Sequence, residues 1–320
     1  MQSPTLLKKA AVVAAVLSCS ILSAQYAWDI GFSAGASNYL GDMGGNVLSR
    51  RDFVSDMKIS QPRMNAGGFV RYKMNPWFAI KTNLTWIRVS GDDKLSSNPG
   101  RNGRNLNFRN DMVELGAQIQ FTYYQIHNLG RSYRHHDNFK AYVGLGAGMV
   151  YHNPKTLYQG VYIPLRPLTT EGDEYSRIAA VIPVSGGFYF TFDKKYRIGF
   201  DLSWRTTFTD YLDDVSTTYA DPSELPSALA IDLANRTDEL NTITPAFAEN
   251  FTPGNKRGDP SHNDSYLTSS VEFSYAIRGR SVAGGDKPIY HWLKRRNNHP
   301  SKYDGNGRVR HRVRKIRLKW

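Results

Sequence analysis

The chain has 320 residues, 40% of them apolar and 12% aromatic, with a formal net charge of +13. Mean hydropathy is −0.49, and beyond the first two dozen residues no continuous apolar run reaches the ~20 residues of a membrane-spanning helix, which excludes a helical membrane protein. The charge does not mark a nucleic-acid binder: residues 279–320 hold 13 Lys/Arg against 2 Asp/Glu, Lys8 and Lys9 hold the rest, and the body between is neutral.

Residues 1–24 read as a secretory signal peptide. Lys8 and Lys9 precede an apolar run over residues 10–22, and Leu22, Ser23 and Ala24 form a small-residue cleavage site before Gln25. Cys19, the only cysteine, follows Val16, Leu17 and Ser18 in a loose lipoprotein-like pattern. The apolar run continues past Cys19, which favours cleavage over lipidation. After cleavage the chain holds no cysteine, hence no disulfide and no thiolate chemistry. An exported chain leaves no place for nucleic acid as a partner.

Eight segments alternate apolar and polar side chains with the period of a β-strand. They are residues 28–39, 65–72, 78–89, 111–124, 141–151, 178–192, 196–209 and 266–278. The fourth is the most regular. Val113, Leu115, Ala117, Ile119, Phe121 and Tyr123 share one face, against Glu114, Gly116, Gln118, Gln120, Thr122 and Tyr124. The apolar face of the last segment is Leu267, Val271, Phe273, Tyr275 and Ile277. The polar faces carry Lys81, Glu114, Gln118, Asp201, Arg205 and Glu272. A soluble barrel would have to bury those charges in its core, whereas the narrow lumen of a membrane barrel can pair them.

The expected architecture is all-β: an eight-stranded antiparallel transmembrane barrel over residues 25–278, followed by a basic tail over residues 279–320. Connections alternate in length, with long ones after the odd-numbered strands, as in outer-membrane barrels with short periplasmic turns and long outer loops. That topology puts both mature termini and the tail in the periplasm, and the interior charges suggest a plugged barrel.

Candidate chemistry is sparse. Gly144, Gly146 and Gly148 lack the spacing of a dinucleotide loop and lie in an alternating strand, so they read as small residues lining one face. His135 and His136, with His127 and His152 near them in sequence, have no metal-ligand spacing and read as a solvated turn. No cofactor or metal is expected, and no serine elbow stands out. The tail places Val309, Val313, Ile316 and Trp320 at helical spacing among arginines. It reads equally as a basic amphipathic helix and as a solvated basic tail.

An ordered set of segments carries a resemblance. Strand one runs into Ser37-Asn38-Tyr39-Leu40-Gly41-Asp42-Met43-Gly44, and strand three into Ser90-Gly91-Asp92-Asp93-Lys94. Next comes Arg104-Asn105-Leu106-Asn107-Phe108-Arg109-Asn110, leading to Glu114 and Gln118, and later Phe208-Thr209-Asp210-Tyr211-Leu212-Asp213-Asp214. Over residues 26–278 this resembles the PorG-type outer-membrane β-barrels of Bacteroidetes. The resemblance implies a non-enzymatic component of the type IX secretion system. Its expected partners are outer-membrane lipid and periplasmic ring proteins of the PorK and PorN type. Gly41, Asp42, Gly44, Asp92, Asp93 and Lys94 carry the motif and also suit plain turn chemistry. Neither the 210–265 loop nor the tail matches the family. Lys294, Arg295, Arg296, Arg308, Arg310, Arg312, Arg314 and Lys315 are the expected contacts to an acidic partner. Two other classes stay open: an outer-membrane lipid hydrolase, and an adhesin displaying the 210–265 loop.

Overall fold

The computed structural model describes residues 28–43, 62–96, 98–126, 138–193, 195–240 and 244–277. The expectations for the signal segment, Cys19, Gly44, His127, His135, His136 and the tail, including Lys294, Arg295, Arg296, Arg308, Arg310, Arg312, Arg314 and Lys315, lie outside these residues. The strands are β1 (Trp28–Leu40), β2 (Arg63–Lys73), β3 (Phe78–Asp92), β4 (Asn107–Ile126), β5 (Asn138–Tyr151), β6 (Pro154–Tyr158), β7 (Val161–Pro164), β8 (Ile178–Phe192), β9 (Tyr196–Thr207) and β10 (Ser265–Ile277). Among the described residues three short α-helices lie between them: α1 (Pro99–Arg104), α2 (Ala228–Ala234) and α3 (Pro245–Ala248).

Eight of these strands close into an antiparallel barrel in the order β3-β2-β1-β10-β9-β8-β5-β4, and β3 pairs with β4 to complete it. First and last strands meet with Trp28 opposite Ile277. Closure leaves no sheet edge, the condition for a sheet to cross lipid. The alternation explains the sense of the barrel. Ile119 is 54% exposed while its neighbour Gln118 is 5% exposed, the reverse of a soluble core. Val113, Leu115, Phe121, Phe188, Ile198 and Phe273 also point outward and are exposed. Trp28 packs on Tyr72 and Phe78 on Phe121 near the turn-bearing end, part of an aromatic girdle.

The structure corrects three details of the sequence reading. A β-bulge follows Thr122, so Tyr124 joins Tyr123 on the outer surface instead of continuing the polar face. Leu267, expected on the exposed apolar face, is covered. The connection after β5 contains the β6–β7 hairpin, which pairs onto the end of β4 and extends the sheet past the barrel wall. β4 is 20 residues long, about 65 Å at strand rise, so it and the hairpin project well beyond the ~9–11 residues a bilayer needs.

Gly146 shows why the small residues of β5 face inward. A Cβ there would lie 2.7 Å from the Gln118 Cα on the facing strand. Glycine lets the two backbones approach while Gln118 fills the lumen.

Candidate functional site

The lumen is layered. At the turn-bearing end Asp29 pairs with Arg197 and lies 3.7 Å from Lys73 and 3.9 Å from Arg71. Arg71 donates to Glu272 at 2.7 Å and to Gln120 at 2.8 Å. Glu272 also holds Lys81, which is 3.7 Å from Asp201, and Asp201 accepts the Tyr142 hydroxyl at 2.6 Å. Further along, Ser185 donates to Gln118 at 2.7 Å. Glu114 pairs with Arg205 at 2.5 Å and accepts the Tyr266 hydroxyl at 2.7 Å, while Arg205 also donates to Thr268. These side chains come from strands all around the barrel and, apart from the half-buried Lys73, are buried, as the alternation predicts for Lys81, Glu114, Gln118, Asp201, Arg205 and Glu272. Charges buried in pairs cost far less than charges buried alone. An eight-stranded interior has room for little beyond such side chains.

The opposite end departs from a uniformly polar lumen. Ile87, Val89, Met112, Val150, Ala179 and Val181 point inward near the mouth and form one apolar cluster with Leu212 and Val215 of the β9–β10 connection. That connection plugs the barrel like a cork. The apolar layer offsets the entropy of ordering so long a loop, since each fully buried aliphatic side chain contributes roughly 1.5–3 kcal/mol.

Three buried arginines clamp the cap above this plug. Arg104 of α1 binds Asp93 at 2.7 and 3.1 Å and donates to the carbonyls of Arg257 at 2.5 Å and Asp42 at 2.9 Å. Arg257 donates to Glu171 at 2.8 Å and to the carbonyls of Asp214 at 2.6 Å and Ala234 at 3.2 Å. Arg236 pairs with Glu239 and donates to Thr156 and the Leu157 carbonyl of the β6–β7 hairpin. The planar guanidinium holds five donors in a fixed fork and so ties several chain segments in one geometry, where a lysine offers three donors at a single point. Beneath them the Tyr39 hydroxyl lies 2.6 Å from both Asp213 and Asp264. Burial and the nearby Asp42 push Asp213 up to about 7, and burial with the Asp213 charge raises Asp264 as well. Burial, against the pull of Arg257, takes Asp214 up to about 6.

The described motif residues, Gly41, Asp42, Asp92, Asp93 and Lys94, sit at this end. Gly41 is wedged against the Tyr39 ring and Asp264. Asp42 accepts the Asp259 backbone N–H at 2.6 Å, Asp92 accepts that of Lys94 at 3.0 Å, and Asp93 holds Arg104. Lys94 is exposed. The structure therefore brings Asp42 and Asp93 into the cap network and leaves Lys94 outside. His152 is no solvated turn residue: it is fully buried, stacks on Tyr175, and burial lowers it to about 4. Arg257 and Glu171 escape sequence reasoning because they are 86 residues apart, and Arg236 because, beside its local pair with Glu239, it reaches Thr156 across 80 residues. Ser261 contacts Asp259 and His262 at 2.8 Å in an exposed turn, with serine, histidine and acid all within four residues, an arrangement that stabilises the turn. Among the described residues no cluster of three or more His, Cys, Asp or Glu could hold a metal ion.

A closed antiparallel sheet, apolar outside and ion-paired inside, is a membrane-spanning β-barrel of the outer-membrane kind. The chain belongs to the DUF6089 family, a domain of unknown function, whose profile matches residues 8–226. No curated protein matches it in sequence. Similar solved structures include Neisserial surface protein A (7% identity, 78% of this chain and 97% of that one, TM-score 0.33). OprG from Pseudomonas aeruginosa is similar at 8% identity, over 81% of this chain and 100% of that one, with TM-score 0.34. The attachment invasion locus protein Ail of Yersinia pestis, in complex with the heparin analogue sucrose octasulfate, gives 11% identity, 78% and 99% coverage and TM-score 0.31.

Proposed function

We propose that this protein is a non-catalytic outer-membrane barrel of the PorG type, a component of the type IX secretion system that anchors or aligns a periplasmic ring of PorK- and PorN-type proteins. The observation that carries the reading is the filled lumen. Among the described residues, ion pairs occupy its turn-bearing end and a folded loop corks its mouth, so the interior is filled largely by the protein's own side chains. What remains useful is a rigid membrane anchor. The ordered motif segments beginning at Ser37, Ser90, Arg104 and Phe208 add the resemblance to secretion barrels.

In this reading the loop-bearing end faces the cell exterior, and the short turns and both mature termini face the periplasm. The basic tail then docks on an acidic partner surface, and the association weakens with salt. Deleting the gene is expected to block secretion through this system, and the tagged full-length protein is expected to co-purify the ring proteins from detergent-solubilised outer membranes. Alanine replacement of Arg308, Arg310, Arg312, Arg314 and Lys315, with Lys294, Arg295 and Arg296, is expected to abolish the co-purification at physiological salt while leaving the barrel folded. Normal secretion in the deletion strain sinks the secretion role. Unchanged co-purification of the tail variant sinks the docking role alone.

A further inference from the structure

Around most of the loop-bearing rim the outward strand positions are apolar or uncharged: Asn38, Tyr151, Ile178, Thr206 and Ser269. One sector differs. Along β2, β3 and β4, Arg63, Arg88 and Arg109 gather within a groove of about 760 Å³ that also holds the exposed Lys94. Arg88 and Arg109 share one carboxylate, Asp111, at 2.5 and 3.0 Å. Arg63 donates to Ser90 at 2.6 Å and meets no carboxylate among the described residues. Asp92 also lines the groove, and with Asp111 it sets two acids against Arg63, Arg88, Arg109 and Lys94, so the sector keeps a surplus of positive charge.

Its height on the barrel matters as much as its charge. Arg88 lies two residues beyond Trp86 on the same face, about 7 Å along the strand, and its guanidinium sits over that ring at 5.1 Å. Asp111 likewise lies two residues from Val113. Leu84, Trp86, Val113 and Leu115 continue the exposed apolar face toward the membrane centre. On the other side of the groove the hairpin presents Tyr162, over which Arg109 lies at 4.7 Å. The groove thus joins an apolar wall to an arginine cluster at the level where acyl chains end and head groups begin. Planar guanidinium forks suit phosphate oxygens.

We propose that this groove is a binding site for a phosphorylated, acylated glycolipid of the outer leaflet. Arg63, Arg88, Arg109 and Lys94 hold the phosphate, and the acyl chains lie along Leu84, Trp86, Val113 and Leu115. The proposal rests on the outer-membrane location and on the loop-bearing end facing out; it does not depend on the secretion role.

The test is native mass spectrometry of the full-length protein in detergent, its barrel checked by heat-modifiable gel migration. The probes are lipid A carrying one phosphate, phosphate-free lipid A, phosphatidylglycerol and inorganic phosphate. The phosphorylated lipid A is expected to bind at least roughly tenfold more tightly than the other three, and R63Q/R88Q/R109Q is expected to remove that preference. D111N, which frees two arginines, is expected to tighten binding about threefold and decides the matter if the triple variant fails to fold. Equal binding of phosphate-free lipid A overturns the phosphate site. Equal binding of phosphatidylglycerol or inorganic phosphate overturns the glycolipid as its occupant. No change in D111N overturns the arginine cluster as the binding group. None of these outcomes bears on ring co-purification, so the two proposals fail separately.

Discussion

Arg257→Met is expected to release the loop cap while the eight-stranded barrel stays closed. Arg257 is buried, and so are the two acids it serves, Glu171 at 2.8 Å and Asp214 at 3.9 Å. Methionine keeps most of the volume and removes every donor. It leaves Glu171 and Asp214 buried without that cation, held only by the N–H groups of Ser216 and Thr217 and the hydroxyls of Thr217, Thr170 and Tyr175, and leaves the carbonyls of Ala234 and Asp214 without that donor. Removing one partner of a buried pair costs about 3–5 kcal/mol, more than a surface loop can hold in reserve. Segment 208–264 should therefore become sensitive to trypsin and exchange its amide protons faster. Strand amides of β1 and β10 should keep their protection, since the lumen pairs lie in other layers. Arg257→Lys should fall between, holding Glu171 as a point charge but losing the fork that reaches two carbonyls. Lowering the pH should partly rescue the methionine variant by neutralising Asp214, and from a higher pH than in wild type, because the Arg257 charge that holds Asp214 down to about 6 is gone. Wild-type protease resistance in Arg257→Met would show that the apolar cork, not the clamp, holds the cap.

The two layers of this molecule were legible in different degrees. The barrel strands could be read because period-two alternation is a local signal, and β8 begins and ends where the pattern does, at Ile178 and Phe192. Lumen charges followed from the same alternation. The bulge after Thr122 was hidden because two adjacent outward tyrosines look like ordinary alternation until the partner strand fixes the register. The β6–β7 hairpin did leave a signal. Gln159 and Gly160 both take positive φ, 48° and 81°, as a two-residue hairpin turn demands, between short β-prone runs. The cap is another matter. Arg104 reaches the Arg257 carbonyl across 153 residues and Tyr39 reaches Asp264 across 225. No window of sequence contains both members of such a pair. The aspartates at 42, 92 and 93 could be read only as turn formers, although Asp93 is buried against Arg104. A charged side chain in a loop carries no mark of whether it will be solvated or buried.

Asp213→Asn is expected to make the cap nearly insensitive to pH between 6 and 8 and more stable than wild type at pH 8. The reason lies in one proton. The Tyr39 hydroxyl is 2.6 Å from Oδ2 of Asp213 and 2.6 Å from Oδ1 of Asp264, and it accepts the Asp42 backbone N–H at 3.1 Å. A hydroxyl has a single hydrogen to donate, so both short contacts are hydrogen bonds only if one carboxyl is protonated and donates to the phenol oxygen. Asp42 and Asp210 add negative charge beside the pair, and Arg104 opposes them from α1. Burial first, then Asp42, lifts Asp213 from the ordinary carboxylate range to about 7. Between about 4 and 7 the closed cap therefore holds a proton that the open one releases. Its stability falls as pH rises through that window, by at most about 1.4 kcal/mol per pH unit for each proton so held. His152 works in the other direction: lowered to about 4 when buried, it favours the closed cap increasingly from pH 4 to its ordinary value near 6.5. Asp214, at about 6, is ionised above that pH. From 6.5 upward the shared proton of Asp213 and Asp264 acts without those two. Asparagine at 213 reproduces the protonated arrangement permanently. Its amide oxygen can accept the Val215 N–H now taken by Oδ1 at 3.0 Å, and its NH₂ can donate to the Tyr39 oxygen while Tyr39 donates to Asp264. Trypsin cleavage of segment 208–264, followed at pH 6, 7 and 8, reads the difference: rising in wild type from pH 6 to about 7 and levelling above, and flat in the variant. Parallel curves for the two would mean that the proton lies elsewhere than between Tyr39 and its two aspartates.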